Sequence, residues 1–205
     1  MTPIAVVATL SRLITKVTDR ITGDRSDYPL LVAMVGKQAL EHLGIGANIF
    51  YGPAAWVEVQ EDQTPLWVGV WGDRAHIWLA TEFGEVVDLC RGGQAGEQEG
   101  KYSPPLIWSK VLPKFYRYHV AGQAEIDLKR EQDRKWFDVC LSEVIEKIPA
   151  KEKLLALNES DLDFPDEAIL CPDRRILDDA RQSFKHYDRA LSIFGIPAAP
   201  NLSEM

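Results

Sequence analysis

Apolar residues recur at three- and four-residue steps at Ile4, Val7, Leu10, Ile14 and Val17. That stripe is one face of a 3.6-residue helix and predicts a helix over residues 3–20. Thr2 is placed to cap it and Pro3 to open it. The polar run Gly23-Asp24-Arg25-Ser26-Asp27 predicts a turn. The next segment, residues 28–43, is apolar nearly all round at its centre, from Leu30 to Val35. This is the pattern of a buried helix rather than a surface one. Pro29 suits its first turn, and Gly44 suits the left-handed residue just past its end.

After Gly44 the period falls to two. Alternation predicts strands at residues 47–52, 55–59, 66–71, 75–80 and 85–89, with Gly72-Asp73 among the turns. Short strands joined in this way read as an antiparallel sheet of roughly four to six strands. Residues 91–105 are rich in Gly, Gln, Glu, Ser and Pro and predict a long, lid-like polar loop. A last strand is expected at 114–120. Residues 125–147 return to a helical, highly charged pattern, with Ile126, Trp136, Val139, Cys140, Val144 and Ile148 toward one side. Asp173 is placed to cap a final helix that Gly195 stops, and the tail beyond Pro197 is expected to fray. Helices, then a run of strands, then helices imply an α+β fold. It divides into an N-terminal helix (1–22), a helix-plus-sheet core (25–120) and a helical part (125–196) of one domain.

Composition narrows the function classes. A chain of 205 residues with 46% hydrophobic and 26% charged residues suits a single globular domain with a real core. The formal net charge of −8 speaks against nucleic acid as a partner, which needs a basic face. The pairs Lys129-Arg130 and Arg134-Lys135 are interleaved with acids and read as a solvated helix face. The apolar start, residues 4–10, is too short to span a membrane and lacks the basic flank of a signal peptide. Cys90, Cys140 and Cys171 are odd in number and show no CxxC spacing. They give neither a disulfide framework nor a zinc site, and a reducing cytoplasm is the expected setting. Arg91-Gly92-Gly93 and Gly96 precede no helix, so they do not read as a phosphate cradle. No metal or other cofactor is expected.

The candidate chemistry lies in His76 and Asp88. They fall on adjacent predicted strands, where a carboxylate can orient an imidazole as half of a catalytic triad. Their surroundings carry a resemblance. The apolar helix ends Leu43-Gly44-Ile45-Gly46-Ala47, the following strand ends Tyr51-Gly52, then come His76-Ile77-Trp78 and Asp88. In order and spacing this resembles the transglutaminase-like branch of the papain-like cysteine-enzyme superfamily, over about residues 25–90. The resemblance implies a papain-like fold, with a buried central helix on an antiparallel sheet. It implies His76 as general base, Asp88 as the group that fixes its tautomer, and Trp78 as a wall of the site.

The chain departs from that family at the nucleophile. The family places a cysteine at the start of the central helix, where the helix dipole and an imidazolium favour thiolate. Here the sequence reads Asp24-Arg25-Ser26-Asp27-Tyr28-Pro29. Arg25 aligns with the cysteine if Asp27-Tyr28 match the family phrase, and Ser26 is the adjacent hydroxyl. Three readings follow. The chain is a catalytically altered or inactive relative whose His76–Asp88 cleft binds a peptide or a small acyl or amide ligand. Or it is an amide hydrolase or acyl transferase that uses Ser26. Or it is a structural protein with no cleft, whose C-terminal helices bind a protein partner. Against these stand plainer roles: His76 as a hydrogen-bonded strand histidine, Ser26 as a helix cap, Cys90 as a small core residue.

Overall fold

The computed structural model of the chain describes residues 1–72, 74–90, 102, 104–124, 128–164, 169–170 and 182–203. Its helices are α1 (Ile4–Thr22), α2 (Pro29–His42), α3 (Glu131–Lys147), α4 (Lys151–Leu155) and α5 (Gln182–Phe194), with a 3-10 turn at Arg25–Asp27. Its strands are β1 (Ala47–Gly52), β2 (Ala54–Val59), β3 (Pro65–Val70), β4 (His76–Thr81), β5 (Val86–Asp88), β6 (Leu106–Ser109), β7 (Tyr116–Tyr118), β8 (Gly122–Gln123) and β9 (Ile169–Leu170). The class is α+β, as the order of sequence patterns predicts.

The strands form two sheets, not one. The larger has the order β8-β1-β4-β5-β6-β9 and the smaller β3-β2-β7. All pairings are antiparallel except β6 with β9. The chain crosses between the sheets at Gly52-Pro53, between β1 and β2, and again between β3 and β4, between β6 and β7, and between β7 and β8. The first and last of these crossings are bonded together: His119 donates to the Pro53 carbonyl and Ala121 to the Tyr51 carbonyl, each at 2.9 Å. A glycine is required at this corner, because a Cβ on Gly52 would stand 2.0 Å from the His119 carbonyl oxygen.

Helix α2 lies on β1 and β4, with α1 and α3 packed around its other sides. This explains its all-round apolar centre. Val35 and Ala39 are fully buried and Leu40 nearly so, and burying each large aliphatic side chain contributes about 1.5–3 kcal/mol. Gly36 lets the helix approach the sheet, since a Cβ there would meet Leu79 Cδ1 at 2.7 Å. Gly44 takes φ +77° after the last turn of α2, and Gly195 takes φ +79° after α5. Both therefore act as the left-handed stops their positions predict.

Several expectations are corrected. Thr2 does not cap α1: Pro3 holds the cap position with no side-chain bond, and the Thr2 backbone N–H and hydroxyl both donate to the buried carboxylate of Glu85, at 2.9 and 2.5 Å. Thr81 and the Trp108 indole donate to the same carboxylate. Val139 is 53% exposed while its neighbour Cys140 is fully buried, because adjacent residues stand about 100° apart around a helix. The basic pairs of α3 do form short-range ion pairs, Lys135 with Glu131 and Arg130 with Asp133. The helix expected over 125–147 begins only at Glu131, after the non-helical residues 128–130. The expected lid (residues 91–105) falls largely outside the described residues, as do residues 125–127 and the Cys171–Asp173 helix opening. Among the described residues, no helix is long and apolar enough to cross a membrane.

Candidate functional site

His76 opens β4 and pairs in register with Gly52 of β1, while Asp88 closes β5. Alternation puts His76 and Trp78 on one face of β4, and Asp88 on the face of β5 that it shares with Cys90. The structure joins the two predicted residues directly: His76 Nε2 lies 2.6 Å from Asp88 Oδ2. A carboxylate only accepts, so Nε2 is the protonated nitrogen, and Nδ1 is the one that would handle a substrate proton. Two further donors hold the carboxylate. Tyr118 OH donates to Oδ2 at 2.8 Å, and the Cys90 backbone N–H donates to Oδ1 at 3.1 Å.

Tyr118 belongs to the small sheet, so the network spans the seam between the sheets. Aromatic rings close it in. Trp56 of the small sheet, Trp78 and Tyr118 have ring centroids 5.9, 6.2 and 6.2 Å from that of His76, with Trp78 stacked at 24°. Both His76 and Asp88 are 1% exposed. Sequence reasoning missed Tyr118 and Trp56 as parts of this site. Strand alternation marks them as sheet residues, and only the fold of one sheet against the other carries them to His76.

Arg25 is the second residue that burial singles out. It has no solvent exposure. Its Nε donates to the Leu89 carbonyl at 2.6 Å, its backbone N–H donates to Asp19 Oδ1 at 3.0 Å, and its guanidinium pairs with the Asp19 carboxylate. An unpaired buried charge is costly; here Asp19 from the last turn of α1 compensates it. Arg25 thus ties α1, the 3-10 turn and the residue after Asp88 together.

Ser26 is placed differently. It is half-buried in the same turn, and its N–H donates to the side chain of Asp24, which caps the turn. It is not among the residues that line the cleft beside Asp88. That cleft lies between the first turns of α2 (Pro29, Val32, Ala33) and the strand residues Trp78, Asp88 and Cys90, with about 10 Å³ of free space. This is room for roughly one water molecule. Cys90 is therefore both a buried residue and a wall of the cleft. Cys140 sits in the helical core, where burial pushes its thiol up to about 11. Among the described residues, no cluster of three or more His, Cys, Asp or Glu side chains could hold a metal ion.

The arrangement orients one imidazole firmly and keeps bulk water from it. The cleft beside Asp88 is bordered by the first turns of α2, and His76 is not among its lining residues. No protein-family model, no curated protein and no solved structure matches the chain.

Proposed function

We propose that the chain is a catalytically inactive relative of the transglutaminase-like branch of the papain-like superfamily, which keeps the His76–Asp88 pair and, beside Asp88, a cleft for a small amide or acyl group. The observation that carries this reading is Arg25. It stands where the resemblance would put the nucleophile, it is wholly buried, and it reaches the Leu89 carbonyl beside Asp88. A guanidinium stays protonated and only donates hydrogen bonds, so it supplies no nucleophile. The cleft walls, apolar side chains with Asp88 and Cys90 among them, suit the planar end of an amide or ester more than a charged ligand. The free volume of about 10 Å³ holds roughly one water molecule, so even a side-chain amide enters only if the walls give way.

The test pairs turnover with binding. Purified protein is incubated with a glutamine-containing peptide plus an amine, and with activated esters. Acetamide is then titrated while the indole signal of Trp78 is followed by NMR. The expected result is no turnover above buffer, with a saturable shift at Trp78 that Val32→Trp, which fills the cleft, removes. Turnover that Ser26→Ala abolishes would establish the hydrolase or acyl-transferase reading instead.

A structural reading has its own observation in support: His76 and Asp88 are each 1% exposed beneath three aromatic rings. Absence of both turnover and the Trp78 shift would leave the network as a brace between the sheets, and the C-terminal helices as the place to seek a partner.

A further inference from the structure

The segment that follows α5 reads Gly195-Ile196-Pro197-Ala198-Ala199-Pro200 and forms neither helix nor strand. Its sequence restricts its shape. The rings of Pro197 and Pro200 hold φ at about −65°, and Ile196 and Ala199, each before a proline, are pushed to extended backbone. These are the preferences of a polyproline II helix, which has about three residues per turn and no internal hydrogen bonds on its carbonyls. Burial follows that period: Pro197 and Pro200 are half-buried, while Ala198 and Ala199 between them are exposed. The stretch beyond Pro197, expected to fray, thus lies against the protein, and Leu202 is 7% exposed.

What it meets is the small sheet. Register sets Trp67 beside Val57, on the face opposite Trp56, whose ring meets His76. Trp67 packs there against the cluster of Val57, Tyr187 and Leu191. Arg117 stacks on the Trp67 ring, its Cζ 5.6 Å from the centroid. The indole Nε1 donates to the Pro197 carbonyl at 3.0 Å. Among the described residues this is the one hydrogen bond between residues 196–200 and the rest of the chain. Aromatic surfaces take proline-rich segments through prolines spaced in this way, because the preformed helix loses little entropy on docking.

We propose that the surface around Trp67 is a recognition site for a proline-rich segment of a partner protein, with prolines three residues apart, and that residues 196–200 fill it as an internal competitor. Trp67 supplies the donor, and Arg117 holds its ring. One hydrogen bond and two half-buried prolines make the internal segment a weak occupant, which an external segment of the same chemistry displaces. The site is separate from the cleft beside Asp88, since the His76 network lies on the other face of the small sheet.

NMR of the full chain with a synthetic probe tests this: a short peptide with three prolines spaced three residues apart and alanines between them. As the peptide saturates the parent, the methyl signals of Ala198 and Ala199 should move to unfolded positions, while the Trp67 indole signal stays that of a bonded N–H. The same peptide with glycine for proline should do neither. A site filled about nine-tenths of the time by its own segment binds about ten-fold more weakly than an open one. Pro197→Gly with Pro200→Gly loosens that segment and should tighten the peptide by about that factor. Trp67→Phe in the same background should weaken it about five-fold, the loss of one hydrogen bond. If the double variant fails to fold, the parent titration decides alone. The proposal is overturned if the peptide fails to saturate a folded double variant, or saturates the parent with the alanine methyls unmoved. Equal affinity for parent and double variant, or equal binding of the glycine control, overturns it too. So does a dimer of the parent in sedimentation velocity that the double variant loses, which would give the site to the same segment of a second copy.

Discussion

Asp88→Ala is the sharpest probe of the seam between the sheets. The substitution takes the acceptor from three donors at once: His76 Nε2, Tyr118 OH and the Cys90 N–H. A buried donor left without a partner costs about 1–3 kcal/mol, and water has little access where His76 and Asp88 are each 1% exposed. Relief of the desolvation cost of the carboxylate offsets part of the loss. The net expectation is a loss of roughly 3–5 kcal/mol, a large share of the stability of an ordinary domain. Tyr118→Phe removes one donor and leaves the acceptor, so its loss should be about 1 kcal/mol. Urea unfolding followed by tryptophan fluorescence reads both, as a lower midpoint at unchanged slope. The two changes share one network, so the double variant should lose less than the sum of the single losses. An Asp88→Ala protein within about 0.5 kcal/mol of the parent would refute the reasoning.

Glu85 gives a pH signature. Burial alone would raise its pKa, but donors from Thr2, Thr81 and Trp108 outweigh it and hold the carboxyl below its usual value. The stabilisation is therefore full above the unfolded value and lost as pH falls through the lower folded one, so the parent's urea midpoint should drop steeply below about pH 4. Glu85→Gln should be less stable at neutral pH and show a flatter profile. Gly52→Ala should destabilise by more than about 3 kcal/mol or prevent folding, because the collision is with backbone that cannot step aside; thermal unfolding reads it. Gln63 holds φ +67° in the β2–β3 turn, so Gln63→Gly should raise the urea midpoint by a few tenths to about 1 kcal/mol of stability.

The helices were legible where one physical rule sufficed. The stripe of α1, the all-round burial of α2 and the glycine stops at Gly44 and Gly195 all follow from local periodicity and backbone sterics. Sheet membership was not legible, because β1 and β2 alternate in the same way yet belong to different sheets; Gly52 decides, through a clash with a residue 67 positions later. β6 was hidden because its four residues follow two prolines and a polar run, too short to establish a period. The His76–Asp88 pair could be read from spacing, but its enclosure could not. Arg25 was singled out by the resemblance as the residue at the nucleophile's place, but nothing in the turn sequence showed that it would be buried. Its burial depends on Asp19 from the preceding helix and a carbonyl 64 positions away, and neither is visible in a local pattern.

Asp88 is not the only saturated carboxylate near β5. Glu85, three residues earlier, is likewise buried and gathers donors from Thr2, Thr81 and Trp108. Two such groups around one three-residue strand indicate that this fold uses carboxylates to tie distant segments together, so saturation of Asp88 alone does not mark a ligand site. The two readings of the site part at Tyr118. If the cleft binds an amide, the ligand N–H competes with Tyr118 OH for Asp88 Oδ2. Tyr118→Phe should then tighten acetamide binding by about five- to ten-fold, the equivalent of one modest hydrogen bond, while lowering stability. If the network is only a brace, the same variant loses stability and gains no affinity. The NMR titration of parent and variant side by side separates the two, and an unchanged acetamide affinity in Tyr118→Phe would count against Asp88 as the ligand's acceptor.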